Sequence, residues 1–93
     1  MIKCRKKPIV IKAMEINERT ELDVIKWAGH DVVVPSPVLE PRDGNPKGVY
    51  WQVHTLEGVM TCVPGDFIIK GVKGEFYSCQ RDIFLETYEE AVE

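Results

Sequence analysis

Residues 49–79 read VYWQVHTLEGVMTCVPGDFIIKGVKGEFYSC, and this stretch decides the fold. It consists of short runs rich in β-branched and aromatic residues, separated by the turn sequences Leu56-Glu57-Gly58, Pro64-Gly65 and Lys73-Gly74. Short strands joined by tight turns are typical of an antiparallel meander. The stretch therefore predicts strands at residues 49–55, 59–63, 67–72 and 75–79.

The turn at Pro64-Gly65 carries the clearest local signal in this stretch. Proline fixes φ as the second position of a type II turn requires, and glycine tolerates the positive φ of the third position. Asp66 follows the turn, and an aspartate there usually bonds the turn backbone. We therefore predict a structural role for Pro64, Gly65 and Asp66, because Asp66 has no evident partner for acid–base chemistry.

A short helix is predicted over residues 21–28, where apolar residues recur at helical spacing. Thr20 is the expected N-cap, and Asp23 completes an imperfect capping box. Gly29 stands at the position that left-handed helix caps favour. A helix this short needs a sheet to pack against.

Two further strands and a long loop complete the first half of the chain. Residues 7–16 alternate as a strand does, and Pro8 suits the start of a strand or a sheet edge. Residues 31–34 predict another brief strand. Prolines then interrupt a loop of about 13 residues between 35 and 48, a length that is often functional or mobile.

From Arg81 onward the apolar period becomes helical, which predicts a helix near the C-terminus. The element order is then β-α-β-β-β-β-β-α. We predict an α+β fold in a single domain over residues 1–93, with two helices on a small, mostly antiparallel, curved sheet of five to six strands. The expected inner face of the last helix consists of Ile83, Phe84, Thr87, Tyr88 and Ala91.

Composition excludes several classes of protein. The chain has 93 residues, a net charge of −3, 44% apolar residues and 29% charged residues, as in ordinary soluble domains. No run approaches the roughly 20 apolar residues of a membrane helix, and no signal-peptide core follows the basic N-terminus. We therefore expect a cytoplasmic protein with reduced thiols and no membrane partner. Its negative charge argues against a nucleic-acid partner.

The charge is unevenly distributed along the chain. Residues 1–12 carry five bases and no acid, whereas residues 82–93 carry five acids and no base. Solvated termini account for this pattern. The alternative is that the basic segment docks on an acidic surface, such as the C-terminal helix of this chain or of a neighbour.

Metal binding and nucleophilic catalysis find little support. Cysteines 4, 62 and 79 are far apart, and so are histidines 30 and 54, whereas zinc sites need closely spaced pairs. Cys62 and His54 are the one candidate pair for a nucleophile and its base. With the hairpin tip near Glu57, Cys62 faces a position near Gln52, and His54 lies diagonal to it on the same face. The favoured alternative is a buried cysteine and a histidine at the rim. Because buried thiols are usually inert, we expect no catalytic residues, no metal and no cofactor.

Aromatic and basic residues interleave along the predicted meander. A sheet face with stacking rings and cations suits a nucleotide-like ligand. The alternative is that the rings belong to the core, as most aromatic residues of small domains do. The candidate ligand or partner surface consists of Trp51, His54, Lys70, Lys73 and Tyr77.

The run from Pro64-Gly65-Asp66-Phe67 to Cys79, followed by Asp82-Ile83-Phe84 and Thr87-Tyr88-Glu89, resembles a known signature. It is similar to the C-terminal region of small phage and prophage proteins of unknown function that contain a PGD-Y/F motif. Residues 3–8 and the Leu56-Glu57-Gly58 turn also look like that group. Phe67 stands where many relatives have tyrosine, and Gln80-Arg81 replaces a basic residue and proline.

The resemblance implies a phage or prophage protein that acts in the bacterial host cytoplasm, and it implies no catalytic residues. We therefore expect a non-enzymatic accessory binding module that self-associates or binds a host protein, because short strands leave edges to cover. The alternative is a binder of a nucleotide-like small molecule, of the counter-defence sponge type. A Cys/His enzyme and a nucleic-acid module are less favoured.

Overall fold

The computed structural model describes residues 1–3, 9–36 and 48–90. Over these residues the predicted order β-α-β-β-β-β-β-α and the α+β class are confirmed. The predicted residues 4–8, most of the Pro-rich loop and Ala91 lie outside the described residues. The elements are β1 (Lys12–Glu15), α1 (Glu21–Ala28), β2 (Val33–Pro35), β3 (Trp51–Thr55), β4 (Gly58–Cys62), β5 (Phe67–Lys70), β6 (Phe76–Cys79) and α2 (Arg81–Thr87).

The strands form two antiparallel sheets instead of one continuous meander. Sheet A has the order β1-β5-β6, and sheet B has the order β2-β3-β4. The chain passes from one sheet to the other at Pro64-Gly65, between β4 and β5. β4 and β5 do not pair with each other: the Val63 N–H donates to the Asp66 carboxylate, and the Asp66 carbonyl, which would accept that N–H in a two-residue hairpin, accepts from the Ile16 N–H instead.

The main core lies between the two sheets and α1. On β3, Trp51 and Val53 are buried, whereas Gln52 and His54 are exposed, as strand alternation requires. Edge-to-face packing of Trp27 on Phe76, with ring centroids 5.2 Å apart, joins α1 to β6. The buried residues of this core are Ile16, Val24, Ile25, Val33, Trp51, Val53, Cys62 and Ile68.

Strand β5 is covered on both faces, which explains its continuous apolar run. Ile68 faces the main core, whereas Ile69, also fully buried, shares the opposite face with Phe67. That face lies under α2, since the Phe67 and Phe84 rings stack with centroids 4.0 Å apart and Tyr88 stacks on Phe84 at 5.0 Å.

The inward face of α2 is narrower than the sequence predicts. Phe84 and Tyr88 are half-buried, as expected, but Ile83 and Thr87 are exposed. The helix has only seven residues, so a single i, i+4 pair meets the sheet. Among the described residues, no helix is both long enough and apolar enough to cross a membrane.

Helix α1 has the predicted bounds, with Thr20 and Gly29 at the predicted cap positions, but neither cap has the predicted geometry. The Thr20 side chain makes no capping bond, and its hydroxyl donates instead to the carbonyl of Glu15 at 2.7 Å. Asn17 Oδ1 stabilises the turn before the helix, because it accepts hydrogen bonds from the N–H groups of Arg19 at 2.8 Å and Thr20 at 3.0 Å. Gly29 has φ 117° and ψ 147°, which is not the left-handed helical conformation expected there.

Candidate functional site

The predicted ligand surface is divided within sheet B. Trp51 is 1% exposed in the core, where its Nε1 donates to Glu21 Oε1 of α1 at 2.9 Å. His54 lies three residues further along the same strand, on the exposed outer face. Trp51 therefore joins a helix to a strand, and it does not meet a ligand beside His54.

The remaining members of the predicted surface are divided within sheet A. Lys70 places its Nζ 5.8 Å from the centroid of the Phe76 ring. Tyr77 lies on the other face, under α2, where burial and a hydrogen bond with Tyr88 raise its pKa to about 12. Lys73 is exposed in the turn between β5 and β6. The five predicted residues thus occupy different faces of two sheets.

The hairpin register separates Cys62 from His54. Thr55 pairs with Gly58, so the turn consists of two residues and Cys62 lies opposite Trp51, not Gln52. A shift of one residue moves a side chain to the other face of a sheet. Cys62 and His54 therefore lie on opposite faces, so the shared face is wrong, and the favoured alternative of a buried cysteine and an exposed histidine is confirmed.

The Cys62 thiol is also unsuited to nucleophilic chemistry. Burial is the main cause that raises its pKa to about 12; the neighbouring Asp66 carboxylate adds to the rise, and a backbone hydrogen bond involving Trp51 offsets part of it. The thiol is therefore protonated near neutral pH. In the described part of the chain, no group of three or more His, Cys, Asp or Glu side chains is arranged to hold a metal ion.

The predicted turn at Pro64-Gly65 is confirmed. Gly65 has φ 98°, and the Asp66 N–H donates to the Val63 carbonyl at 3.1 Å, as a type II turn requires. Asp66 Oδ2 accepts the Val63 N–H at 3.0 Å and the carboxylate also accepts a backbone hydrogen bond from Arg81. Two backbone bonds of 2.8 Å then tie Ile16 to Gly65 and Asp66. The turn therefore links β4, β1 and α2.

The charges around this turn support a structural role. Burial raises the pKa of Asp66 above its usual value, and the two backbone hydrogen bonds offset part of that rise. Arg81 forms an ion pair with Glu15 and lies over the Phe67 ring, 5.9 Å from its centroid. Both interactions hold the start of α2 against sheet A.

Some large apolar side chains are exposed at positions that the sequence did not indicate as a surface. Several belong to the β3–β4 hairpin or its continuation, and two belong to α2. β4 itself has four exposed residues out of five and carries no charge. The informative signal was present in the sequence, as an uncharged strand followed by a proline turn. The exposed set is Leu56, Val59, Met60, Val63, Ile83 and Leu85.

The backbone of β4 is also available at this edge. The His54 N–H donates to the Val32 carbonyl at 2.8 Å, so residues 52 and 54 bond toward β2 and residues 51, 53 and 55 bond toward β4. Their partners in β4 are residues 58, 60 and 62. Val59 and Thr61 therefore direct their N–H and C=O groups away from the sheet, and no described strand pairs with them.

An open groove of about 700 Å³ lies beside this edge. Met60, Thr61 and Val63 line one side, Ser78 lies near the base, and Arg81 and Leu85 come from α2. Ser78 Oγ lies 4.0 Å from Met60 Sδ. Outward backbone groups and an adjacent groove thus occur together, and we refer to residues 58–62 with this groove as the β4 edge.

A second groove lies between residues 9–13 and the C-terminal part of the described chain. Residues 9–13 line it from one side, and Phe84, Tyr88, Glu89 and Glu90 line it from the other. The bases at positions 5–7 lie outside the described residues, so docking of the basic segment on the acidic helix stays a prediction.

A scan against protein-family models and searches of the curated proteins and of the solved structures found no match to this chain. Function is therefore inferred from the geometry of the β4 edge.

Proposed function

We propose that this chain is a non-enzymatic protein-binding module that takes up an extended segment of its partner at the β4 edge. In keeping with its PGD motif, we place it among phage or prophage accessory proteins that act in the bacterial host cytoplasm. The observation that carries this proposal is the uncharged strand β4, whose Val59 and Thr61 backbone groups face outward next to exposed apolar side chains.

An edge of this kind is unusual in a protein that has no use for it. Soluble proteins protect edge strands with charges, prolines or bulges, because free backbone groups recruit other strands. β1 has Lys12 and Glu15 at its ends, and β2 ends at Pro35. β4 has none of these protections, and strand addition is a common mode of peptide recognition.

The rival functions have less support from the geometry. A Cys/His enzyme needs Cys62 near a base, but its thiol is buried and His54 lies on the other face. A nucleotide binder at the predicted surface needs a common face for Trp51, Lys70 and Tyr77, which lie on different faces of two sheets. The β4 edge is continuous and accessible.

Titration of the ¹⁵N-labelled protein with a soluble peptide, Lys-Thr-Val-Thr-Val-Thr-Lys, tests the proposal. A strand that pairs with β4 engages the outward amides, so we expect chemical-shift changes centred on Val59 and Thr61. Thr61→Pro removes one outward donor without breaking a bond to β3, and it should abolish the response. Thr61→Val keeps the N–H and is the matched control.

Absence of a response at Val59 and Thr61, with shifts elsewhere or none, would contradict strand addition. An unchanged response in Thr61→Pro would contradict it equally, because the peptide would then bind without that backbone donor.

A further inference from the structure

We infer that the segment received by the β4 edge is the β4 strand of a second copy of this chain, paired antiparallel about a two-fold axis through Met60. This inference rests on the proposed function and names its partner. It joins two copies of sheet B into one continuous six-stranded sheet, since each sheet B has three strands.

The available hydrogen-bonding groups select this register. Beyond Thr61, the next outward position is Val63, whose N–H and C=O are both taken by Asp66. Before Val59, the N–H of Glu57 donates to Thr55 Oγ at 3.2 Å within the turn. Along this described edge, only Val59 and Thr61 then offer a free donor and acceptor each, and an axis through Met60 places each Val59 opposite the partner copy's Thr61. The outward groups of both strands are then paired.

The side chains of the β4 edge are compatible with pairing to the same edge of a second copy. Residues 58–62 carry no charge, so no like charges meet across the axis. Val59 and Thr61 lie on the same face of the strand, so the pairing sets a valine beside a threonine. Two-fold interfaces use one patch twice and must be self-complementary, as this edge is.

The contact is expected to be modest in strength. It consists of one short strand from each copy, with the exposed Val63 and Leu85 near its margin. Interfaces below roughly 1,200 Å² are generally transient. We therefore expect a reversible dimer that populates as protein concentration rises, not a permanent one.

Sedimentation velocity over a wide concentration range, with charge substitutions at the two facing positions, tests the inference. Wild type should shift from monomer to dimer as concentration increases. Val59→Lys alone and Thr61→Glu alone should each weaken the dimer by about tenfold or more, since edge charges oppose strand pairing. Mixing these two variants should restore association, because the lysine introduced in one copy then faces the glutamate introduced in the other.

A mixture of Val59→Lys with Thr61→Lys is the matched control and should stay monomeric. Thermal melts confirm that each variant is folded, as expected for exposed positions. A monomeric wild type at every concentration overturns the inference while leaving the peptide titration to decide the proposed function. A dimer unaffected by Val59→Lys, or one not restored in the mixture of Val59→Lys with Thr61→Glu, also overturns it.

Discussion

Strands β3 and β4 belong to one hairpin, yet β3 alternates between buried and exposed residues whereas β4 is exposed at four of its five positions. β3 lies at the centre of sheet B and buries Trp51 and Val53 almost completely. β4 has more apolar residues than β3, but Val59 and Met60 remain exposed. Val59 is exposed because it lies beside His54 on the outer face of sheet B. Met60, in contrast, lies beside the buried Val53 but on a strand that is paired on one side only. Apolar character thus stabilises the fold in β3 and leaves a surface for a partner in β4.

The largest effect on stability should come from shortening a buried side chain of β3. Trp51→Ala removes a buried ring and leaves Glu21 without its 2.9 Å donor, so we expect a loss of about 3–5 kcal/mol in the free energy of unfolding. Val59→Ala on β4 should change it by less than about 0.5 kcal/mol. Urea denaturation measures both, with Trp51→Phe as a milder substitution.

Equal losses in Trp51→Ala and Val59→Ala would remove the distinction between a structural strand and a free one.

Cysteine labelling compares the buried end of β4 with a less buried thiol on β6. Because the pKa of Cys62 is raised to about 12, its reaction with iodoacetamide at pH 8 should be roughly a thousandfold slower than that of a free thiol. Cys79 also has a raised pKa but is half-buried, so it should be labelled first. Mass spectrometry of the folded protein gives the order, and labelling in urea should remove the difference.

Labelling of Cys62 at the rate of a free thiol would contradict the conclusion that this thiol is buried and unreactive, and it would favour the Cys/His enzyme.

Asp66 occupies the backbone N–H and C=O of Val63, so the free edge of β4 ends before that residue. Asp66→Ala leaves the backbone N–H groups of Val63 and Arg81 without their carboxylate acceptor, and we expect a loss of about 1–3 kcal/mol in the free energy of unfolding. Chemical denaturation provides the measurement. A loss no larger than that of an exposed alanine substitution would mean that the turn is held by Pro64 and Gly65 alone.

Because the pKa of Asp66 is raised, its contribution to the free energy of unfolding should change with pH in a defined direction. The folded state holds the proton more tightly than the unfolded state, so this contribution to stability is present below the unfolded pKa and is lost as pH rises through the folded one. Asp66→Asn does not ionise there. The stability of Asp66→Asn relative to wild type should therefore increase between about pH 3 and pH 7. A decrease would mean that the pKa of Asp66 is lowered in the folded state, not raised.

The smallest effect is expected at Arg81, on the wall of the groove. Its ion pair with Glu15 is solvent-exposed, and such pairs contribute about 0–1 kcal/mol. Arg81→Gln should therefore lower the melting temperature only slightly, and less so at high salt. A loss comparable to that of Asp66→Ala would show that this pair is essential to the docking of α2.

Local patterns allowed much of the fold to be predicted. The bounds of α1 follow from helical spacing between Thr20 and Gly29, and the type II turn follows from Pro64 and Gly65. The register of the β3–β4 hairpin was harder to predict from the sequence. The turn Leu56-Glu57-Gly58 can be centred either on Glu57 or between Leu56 and Glu57, and these two choices give different strand pairings. That small ambiguity decides whether Cys62 lies opposite Gln52 or opposite Trp51, and therefore whether it shares a face with His54.

The candidate site was harder to predict because it depends on contacts between distant residues. The division into two sheets follows from bonds that tie Asp66 to Val63 and to Ile16. The exposure of β4 follows from that division, since no described strand after the turn continues sheet B. Composition alone pointed toward aromatic and basic residues such as Trp51 and Lys70, and the fold uses Trp51 in its core.

Amide hydrogen exchange at β4, measured at low and at high protein concentration, tests the central claim most directly. The N–H groups of Met60 and Cys62 bond to β3 and should be protected at both concentrations. Those of Val59 and Thr61 should exchange rapidly in the dilute protein and become protected in the concentrated one. Rapid exchange of Val59 and Thr61 at both concentrations, or protection already complete in the dilute monomer, would contradict the account of β4 as a free edge that receives a second copy.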